Sequence, residues 1–306
     1  MAFLPVSVGQ IKTPPLKCQG IKTKLVGFLF QNIQWNDKGK GRWIEPFLGS
    51  GVVAFNLAPE RALLADTNKH IISLYRAIQK GALPPEKVRA FLEQEGSKLE
   101  EKGAVFYYQI RERFNEFGNP LDFLFLNRSC FNGVMRFNKH GNFNVPFGHK
   151  TKRFSKSYIT KIVNQIAWVE TQMYGRDWEF KVASWETTLT DTAPEDFVYL
   201  DPPYIGRHTD YYTSWDEEEA IRLATFTRNL KSGFALSMWL SNRYRKNNHL
   251  EYYWKELDMR TSRHFYHVGS KEDYRNAVEE ALVIKPGFSV PYAQLGTPTA
   301  PRHVAV

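Results

Sequence analysis

Glu45-Pro46-Phe47-Leu48-Gly49-Ser50-Gly51 follows Trp43-Ile44 and runs into Val52-Val53-Ala54-Phe55-Asn56-Leu57. Trp43 to Leu48 reads as a buried strand, the paired glycines as a tight turn, and Val52 to Leu57 as the start of a helix. Arg61 to Ala65 is a second apolar strand, ending at Asp66. A glycine in such a turn lets backbone press against a ligand, because no Cβ stands between them. An acid closing the second strand suits ribose hydroxyls, with a helix N-cap before Thr67-Asn68 as its competing role. Strand, glycine turn, helix, strand and acid, in that order, open a Rossmann-like α/β fold that holds a nucleoside. Neither a P-loop nor GxGxxG is present, which argues against phosphate cradling.

The second informative string is Asp201-Pro202-Pro203-Tyr204, at the end of the strand expected over Phe197 to Leu200. It sets a carboxylate, a stiff bend and an aromatic face side by side. Such a group suits the exocyclic amine of a base, whose lone pair is delocalised into the ring. Asp201 and the carbonyl of Pro202 can accept the amine's protons, with proline rigidity fixing both. Tyr204 can stack on the base. Chemistry of this kind needs positioning and electrostatics, not a metal or a covalent intermediate. A plain Pro-Pro turn after a strand is the bland alternative.

The 306 residues allow one large domain or a core with an insertion. The formal charge of +9 favours a polyanionic partner, and the 15% aromatic content fits a surface that stacks on bases. Between Asp122 and Glu170 no acidic residue occurs, while Arg128, Arg136, Lys139, Lys150, Lys152, Arg153, Lys156 and Lys161 fall inside. Phe-, Tyr- and Asn-rich turns flank that run, which favours nucleic-acid contact over a merely solvated face. Cys18 and Cys130 form no CxxC pair, the eight histidines are scattered, and no metal site is expected. Two lone thiols, no signal-peptide pattern and no apolar run of membrane-spanning length lead to the expectation of a cytoplasmic protein without a membrane partner.

The organisation expected is a discontinuous core over 1–66 and 156–286, an insertion over 67–155, and a flexible tail over 287–306. Residues 1–15 read as a loose arm. The insertion is mostly helical, over Asn68 to Gln79, Pro84 to Leu99 and Tyr107 to Phe117. It carries a β-hairpin with arms Val134 to Phe137 and Phe143 to Val145 and a turn at Asn138 to Gly141. A helix over Ser155 to Glu170 returns to the core, where strands and helices alternate again from Trp178.

Taken together, the chain resembles the D12 class of N6-adenine DNA methyltransferases, the Dam-type group, from about Lys17 to Ile284. Lys17 to Leu25 resembles that family's N-terminal cofactor motif, Glu45 to Gly51 its S-adenosyl-L-methionine motif, and Asp201 to Tyr204 its catalytic motif. Phe131-Asn132-Gly133-Val134-Met135-Arg136-Phe137-Asn138, continued by Gly141 to Gly148, resembles its target-recognition hairpin closely. The resemblance implies a Rossmann-like methyltransferase core that binds S-adenosyl-L-methionine. It further implies that a recognition insertion binds double-stranded DNA, from which an adenine is flipped for N6-methylation. The catalytic residues implied are Asp201, Pro202 and Tyr204. The cofactor set is Lys22, Glu45, Phe47, Gly49, Gly51, Asp66, Ser184 and Asp201. The DNA set is Lys17, for a guanine beside the target, with Arg128, Asn132, Val134, Arg136, Asn138, Asn144 and Pro146. For Arg136 a bidentate contact to guanine and a role within the hairpin or on phosphate both stay open. A GA-containing site is expected, read either beside a restriction endonuclease or by a solitary methylase.

Three positions depart from the family pattern. Cys18 stands where many relatives have an aromatic residue, Ile21 where they have a second glycine, and Ser184-Trp185 where they often carry Asp-Phe. Tyr211, Tyr212 and Trp215 suggest a loop that orders over a flipped base. Ser241-Asn242 suggests either a turn near the target pocket or a plain cap. Arg275 with Glu280 suggests either a late family motif or a surface ion pair. Two other functions fit the same residues: methyl transfer to an RNA base or a protein amide, and DNA binding without catalysis.

Overall fold

The strand expected at Arg61 to Ala65 is apolar on both sides, and such strands belong inside a parallel sheet covered on two faces. The computed structural model describes residues 3–18, 20, 22–204, 215–241, 247–265 and 277–294. The elements run β1 (Phe3–Leu4), α1 (Val26–Asn32), β2 (Trp35–Asn36), β3 (Trp43–Glu45), α2 (Val52–Leu57) and β4 (Arg61–Asp66). Next come α3 (Lys69–Gln79), α4 (Pro85–Lys102), α5 (Ala104–Phe117), α6 (Pro120–Ser129) and α7 (Lys156–Met173). The core resumes with β5 (Asp177–Val182), α8 (Trp185–Leu189), β6 (Phe197–Leu200), α9 (Glu217–Arg228), β7 (Gly233–Ser241), α10 (Asn248–Trp254), β8 (Asp258–Phe265) and β9 (Ala277–Ile284).

The sheet has seven strands in the order β5-β4-β3-β6-β7-β9-β8. The first five are parallel, and β9 lies antiparallel to both β7 and β8. Chain order reverses between β3 and β6, so the turns leaving these neighbouring strands diverge and open a crevice at their carboxyl ends. The Rossmann-like α/β class read from the sequence is therefore the class observed. Alternation along the strands builds two cores. Ile44, Leu63, Val198, Leu200 and Leu236 face α8, α9 and α10. Trp43, Leu64, Phe197, Tyr199 and Ala235 face α1, α2, α3 and α7. That second core continues without a break into α4, α5, α6 and the segment after them.

Four expectations change. The arm expected over 1–15 is not loose from Phe3 onward: β1 pairs with β2, and Leu4, Pro14, Pro15 and Leu16 are buried. The tail does not begin at 287, since Phe288 packs on Phe197, Val290 is buried, and the Val290 amide donates to Asn32 at 2.9 Å. Helix α3, placed with the insertion, belongs to the cover of the sheet. Arg76 donates to the Phe180 carbonyl at 2.9 Å, Gln79 to that of Trp178 at 2.7 Å, and Tyr75 to that of Ser50 at 2.6 Å.

The fourth concerns the hairpin. It keeps its path but forms no ladder, only single bridges at Cys130–Phe147 and Phe137–Phe143. Phe137, Phe143, Val145 and Phe147 are all buried, and the arms share a few backbone bonds, from Asn144 to the Arg136 carbonyl at 3.1 Å and from Phe131 to that of Pro146 at 2.9 Å. Neighbouring helices take its backbone groups. Asn115 accepts from the Phe143 amide at 2.8 Å and donates to its carbonyl at 3.2 Å, and Tyr107 donates to the Val145 carbonyl at 2.8 Å. Buried backbone must be satisfied, and here helix side chains add to the bonds between the two arms.

Candidate active site

Asp66 ends β4, and both of its carboxylate oxygens accept backbone bonds. Oδ2 takes the Gly49 amide at 2.9 Å and Oδ1 the Asn68 amide at 2.8 Å. The cap of α3 is Asn68, whose side chain accepts from His70. Asp66 thus ties the turn after β3 to the turn after β4, which a capping role alone would not do. Burial pushes its carboxyl above the ordinary range, against the two backbone bonds.

The two glycines do different jobs. Gly49 (φ +50°) lines the cavity, and a Cβ there would meet open space. Gly51 (φ +70°) is buried, and a Cβ would come within 2.6 Å of the Phe55 ring. Gly51 therefore serves the packing of α2 and does not face the cavity, a correction to its expected cofactor contact. Any side chain at either position would also carry the strain of a left-handed backbone.

At the end of β6, Asp201 opens onto the same cavity as Gly49 and Asp66, a space of 210 Å³. Its Oδ1 lies 3.0 Å from the Lys22 ammonium and accepts from the Ser237 hydroxyl at 3.2 Å. Ser237 also shares a 2.8 Å bond with Tyr199. Lys22 donates to the Tyr204 hydroxyl at 2.5 Å and stands 3.8 Å from Glu280. Tyr204 donates to both Glu280 oxygens at 3.1 Å. Lys22 and Glu280 are each 3% exposed as side chains, whereas Asp201 is 24% exposed.

Burial opposes the charge on Lys22, but Asp201, then Tyr204 and Glu280, outweigh it and hold the ammonium well above its ordinary range. Partial burial pushes Asp201 up, Lys22 opposes that rise, and Glu280 adds to it. Glu45 is buried at the end of β3 and accepts from the Trp43 indole at 2.7 Å. Burial pushes its carboxyl up to about 8, with the Trp43 bond opposing. The cavity is acidic although the whole chain is basic: Glu45, Asp66, Glu186, Asp201 and Glu219 line it, with Lys22 the one Lys or Arg among its lining residues. It suits a ligand that carries positive charge.

Ser184 also lines the cavity, but its hydroxyl is engaged as the N-cap of α8, accepting from Thr187 at 3.2 Å. Trp185 donates to Glu219 at 3.1 Å, and Phe47 meets Trp215 edge-on at 5.4 Å. Pro202 is buried behind the turn. The Tyr204 hydroxyl is tied inward to Lys22 and Glu280.

The chain belongs to the D12 class of N6 adenine-specific DNA methyltransferases. The model of that family matches residues 19–273. The type II methyltransferase M.MjaIII of Methanocaldococcus jannaschii is 31% identical over 252 residues, covering 76% of this chain and 84% of that protein. A DNA adenine methylase of Salmonella typhimurium is 30% identical over 265 residues, covering 81% and 88%. The retron Ec67 DNA adenine methylase of Escherichia coli is 31% identical over 219 residues, covering 69% and 70%. The chain is accordingly an enzyme of methyl transfer to adenine in DNA.

Family membership directs attention to the residues expected to meet DNA, which divide into three groups. Lys17 is locked into the insertion. Asn127 exchanges two 2.9 Å bonds with its backbone, and its side chain crosses the face of Gly133 so closely that a Cβ there would lie 2.5 Å from it. Asn132, Val134 and Pro146 are exposed or half-buried beside it. Arg136 and Asn144 bond each other across the hairpin at 2.8 Å, and the Asn138 side chain accepts from His140 and Asn142, closing the turn.

Arg128 is a correction. It is buried, its guanidinium bonded to Gln165 and to the Tyr158 hydroxyl at 3.3 Å, so it lies beneath the surface it was expected to occupy. Arg153 bonds that same hydroxyl at 2.7 Å, with Lys17 close by. Burial would push the Tyr158 phenol up, yet Arg128, Lys17 and Arg153 hold it below its ordinary range. Among the described residues none of the three cations has a carboxylate partner.

Sequence reading missed Ser237, Tyr199 and the burial of Glu280. Glu280 left a signal, because it shares a face of β9 with Leu282 and Ile284, and a charge in that row is out of place. Tyr211, Tyr212, Asn242 and Arg275 lie outside the described residues. Among the described residues no helix is long and apolar enough to cross a membrane, and no group of three or more His, Cys, Asp or Glu could hold a metal ion.

Proposed function

We propose that this enzyme binds S-adenosyl-L-methionine in the acidic cavity and methylates N6 of an adenine turned out of a duplex at a specific short site. One observation carries the reading: Asp201, Gly49 and Asp66, from three adjacent strand ends, open onto one space lined by five Asp and Glu side chains and a single lysine. The donor set fits a cationic nucleoside. Asp66 would accept from ribose hydroxyls, Gly49 would let the backbone approach, and Phe47 with Trp185 would border the ring. When bound, the cofactor supplies an electrophilic methyl carbon on a sulfonium.

Asp201 would accept from the target amine and withdraw its lone pair from the ring. Pro202, buried and rigid, would hold the accepting carbonyl. Tyr204 would offer its face to the base, with its hydroxyl held from behind. Lys22 would balance the charge of Asp201 and fix its orientation.

The recognition unit in this reading runs from α4 to Ser155. Lys17 with the hairpin residues Asn132, Val134, Arg136 and Pro146 would read bases. Asn138 and Asn144 would shape the hairpin, and Arg153, half-buried beside Tyr158, would attract phosphate. The test is tritium transfer from S-adenosyl-L-methionine into duplex DNA at N6-methyladenine. Asp201→Ala should abolish it while DNA binding is kept; undiminished transfer would refute the role of Asp201. A product that resists DNase but yields to RNase or protease would replace DNA with another acceptor.

A further inference from the structure

We propose that Glu280 of β9 is a positioning residue for methyl transfer: it fixes the Tyr204 hydroxyl and shares Lys22, leaving an oxygen of Asp201 to accept from the target amine. The inference rests on the roles of Asp201 and Tyr204 given above. Glu280 stands 76 residues after Tyr204, on an antiparallel strand outside both signature strings. Its two oxygens receive the Tyr204 hydroxyl at 3.1 Å each, and one lies 3.8 Å from the Lys22 ammonium.

Lys22 therefore has two carboxylates and one phenol around it, and its attraction is divided. Were Glu280 neutral, the ammonium would act on Asp201 alone. A carboxylate fully paired with a buried ammonium is a poor acceptor for a neutral amine. The bond to Glu280 also sets the Tyr204 ring, because a phenol held at its oxygen pivots only about that point. A half-exposed aromatic chain without this tie would lose entropy each time a base arrived.

The groups facing Asp201 are Lys22 and Cys18 from the N-terminal segment, Glu45 after β3, Tyr199 and Tyr204 on and after β6, and Glu280. Removing the charge of Glu280 lowers the proton affinity of Asp201, since Lys22 then acts unopposed. A residue that only held the fold would not move that affinity.

The experiment is single-turnover methyl transfer to a duplex bearing the enzyme's own site, followed against pH for the parent, Glu280→Gln, Glu280→Asp and Tyr204→Phe. The parent must transfer first: its silence would sink the assignment of function, not the present proposal. Expected for Glu280→Gln is a plateau rate lower by about tenfold or more, and an acid limb displaced to lower pH. Glu280→Asp should return the limb toward the parent. Tyr204→Phe keeps the ring, loses the tie, and should slow transfer with the limb in place. A Glu280→Gln rate within about twofold of the parent, or a slower rate with an unmoved limb, overturns the proposal. If Glu280→Gln no longer melts cooperatively, Tyr204→Phe decides, and a rate equal to the parent's overturns it.

Discussion

The Gly49 amide donates to Oδ2 of Asp66 across 2.9 Å, joining the turns that leave two neighbouring strands. The residue that would meet a ribose also sets the backbone that would lie against the rest of the nucleoside. Losing it removes two things at once, a ligand contact and the shape of a loop.

Asp66→Ala should therefore weaken S-adenosyl-L-methionine binding by about tenfold or more, read by calorimetry. The two glycines should separate. Gly49→Ala puts a methyl group into the cavity and should cut cofactor affinity more than stability. Gly51→Ala drives a Cβ to 2.6 Å from Phe55 and should cost about 1–3 kcal/mol of stability in a denaturant titration. Its folded fraction should still bind cofactor. Equal effects of the two substitutions on binding would contradict this division.

Glu45, pushed up to about 8 by burial, is protonated in the folded protein at neutral pH. A carboxyl whose folded value lies above its unfolded one stabilises fully below the unfolded value, near 4.5, and loses that contribution as pH rises through about 8. The melting temperature of the parent should fall over that window relative to Glu45→Gln, which has no proton to lose. A cationic ligand beside Glu45 favours its ionised form. Cofactor binding at pH 7 should release protons, seen as buffer-dependent heats that Glu45→Gln reduces.

His70 gives the opposite sign. Burial, then Lys69, lowers its ring to about 4 from an ordinary 6.5, and it stacks on Phe137 of the hairpin at 5.3 Å and 8°. Its contribution is complete above 6.5 and is lost as pH falls through about 4. Hydrogen exchange across 131–147 should quicken between those values before the sheet strands are affected. Exchange that rises uniformly over the whole chain would tell against a local seat.

Lys17 and Arg153 both stand beside Tyr158 but should fail differently. Arg153→Ala should weaken every duplex alike and reduce the slope of log Kd against log salt by about 1. Lys17→Ala should flatten discrimination at one base pair, by about 1–3 kcal/mol. Competition binding with single-pair substituted duplexes, at several salt concentrations, separates the two.

Residue order alone marked the two strings, the strands that carry them, the acid closing β4, and the basic stretch with its hairpin-like path. Those features are local. A glycine's freedom, a proline's rigidity and an apolar period each act within a few residues, and they act wherever the chain places them.

What only the tertiary structure decided is which side chains meet over long spans. Lys22 bonds Tyr204 across 182 residues, and Lys17 is gripped by Asn127 across 110. Arg128 is drawn under the surface by Tyr158 and Gln165, Gly51 is turned from ligand to packing, and Glu280 is buried against the Tyr204 hydroxyl. Each of these depends on how completely a group is removed from water and which charges then stand beside it. Desolvation and pairing are properties of the assembled sheet and its helices, and no short stretch of sequence carries them.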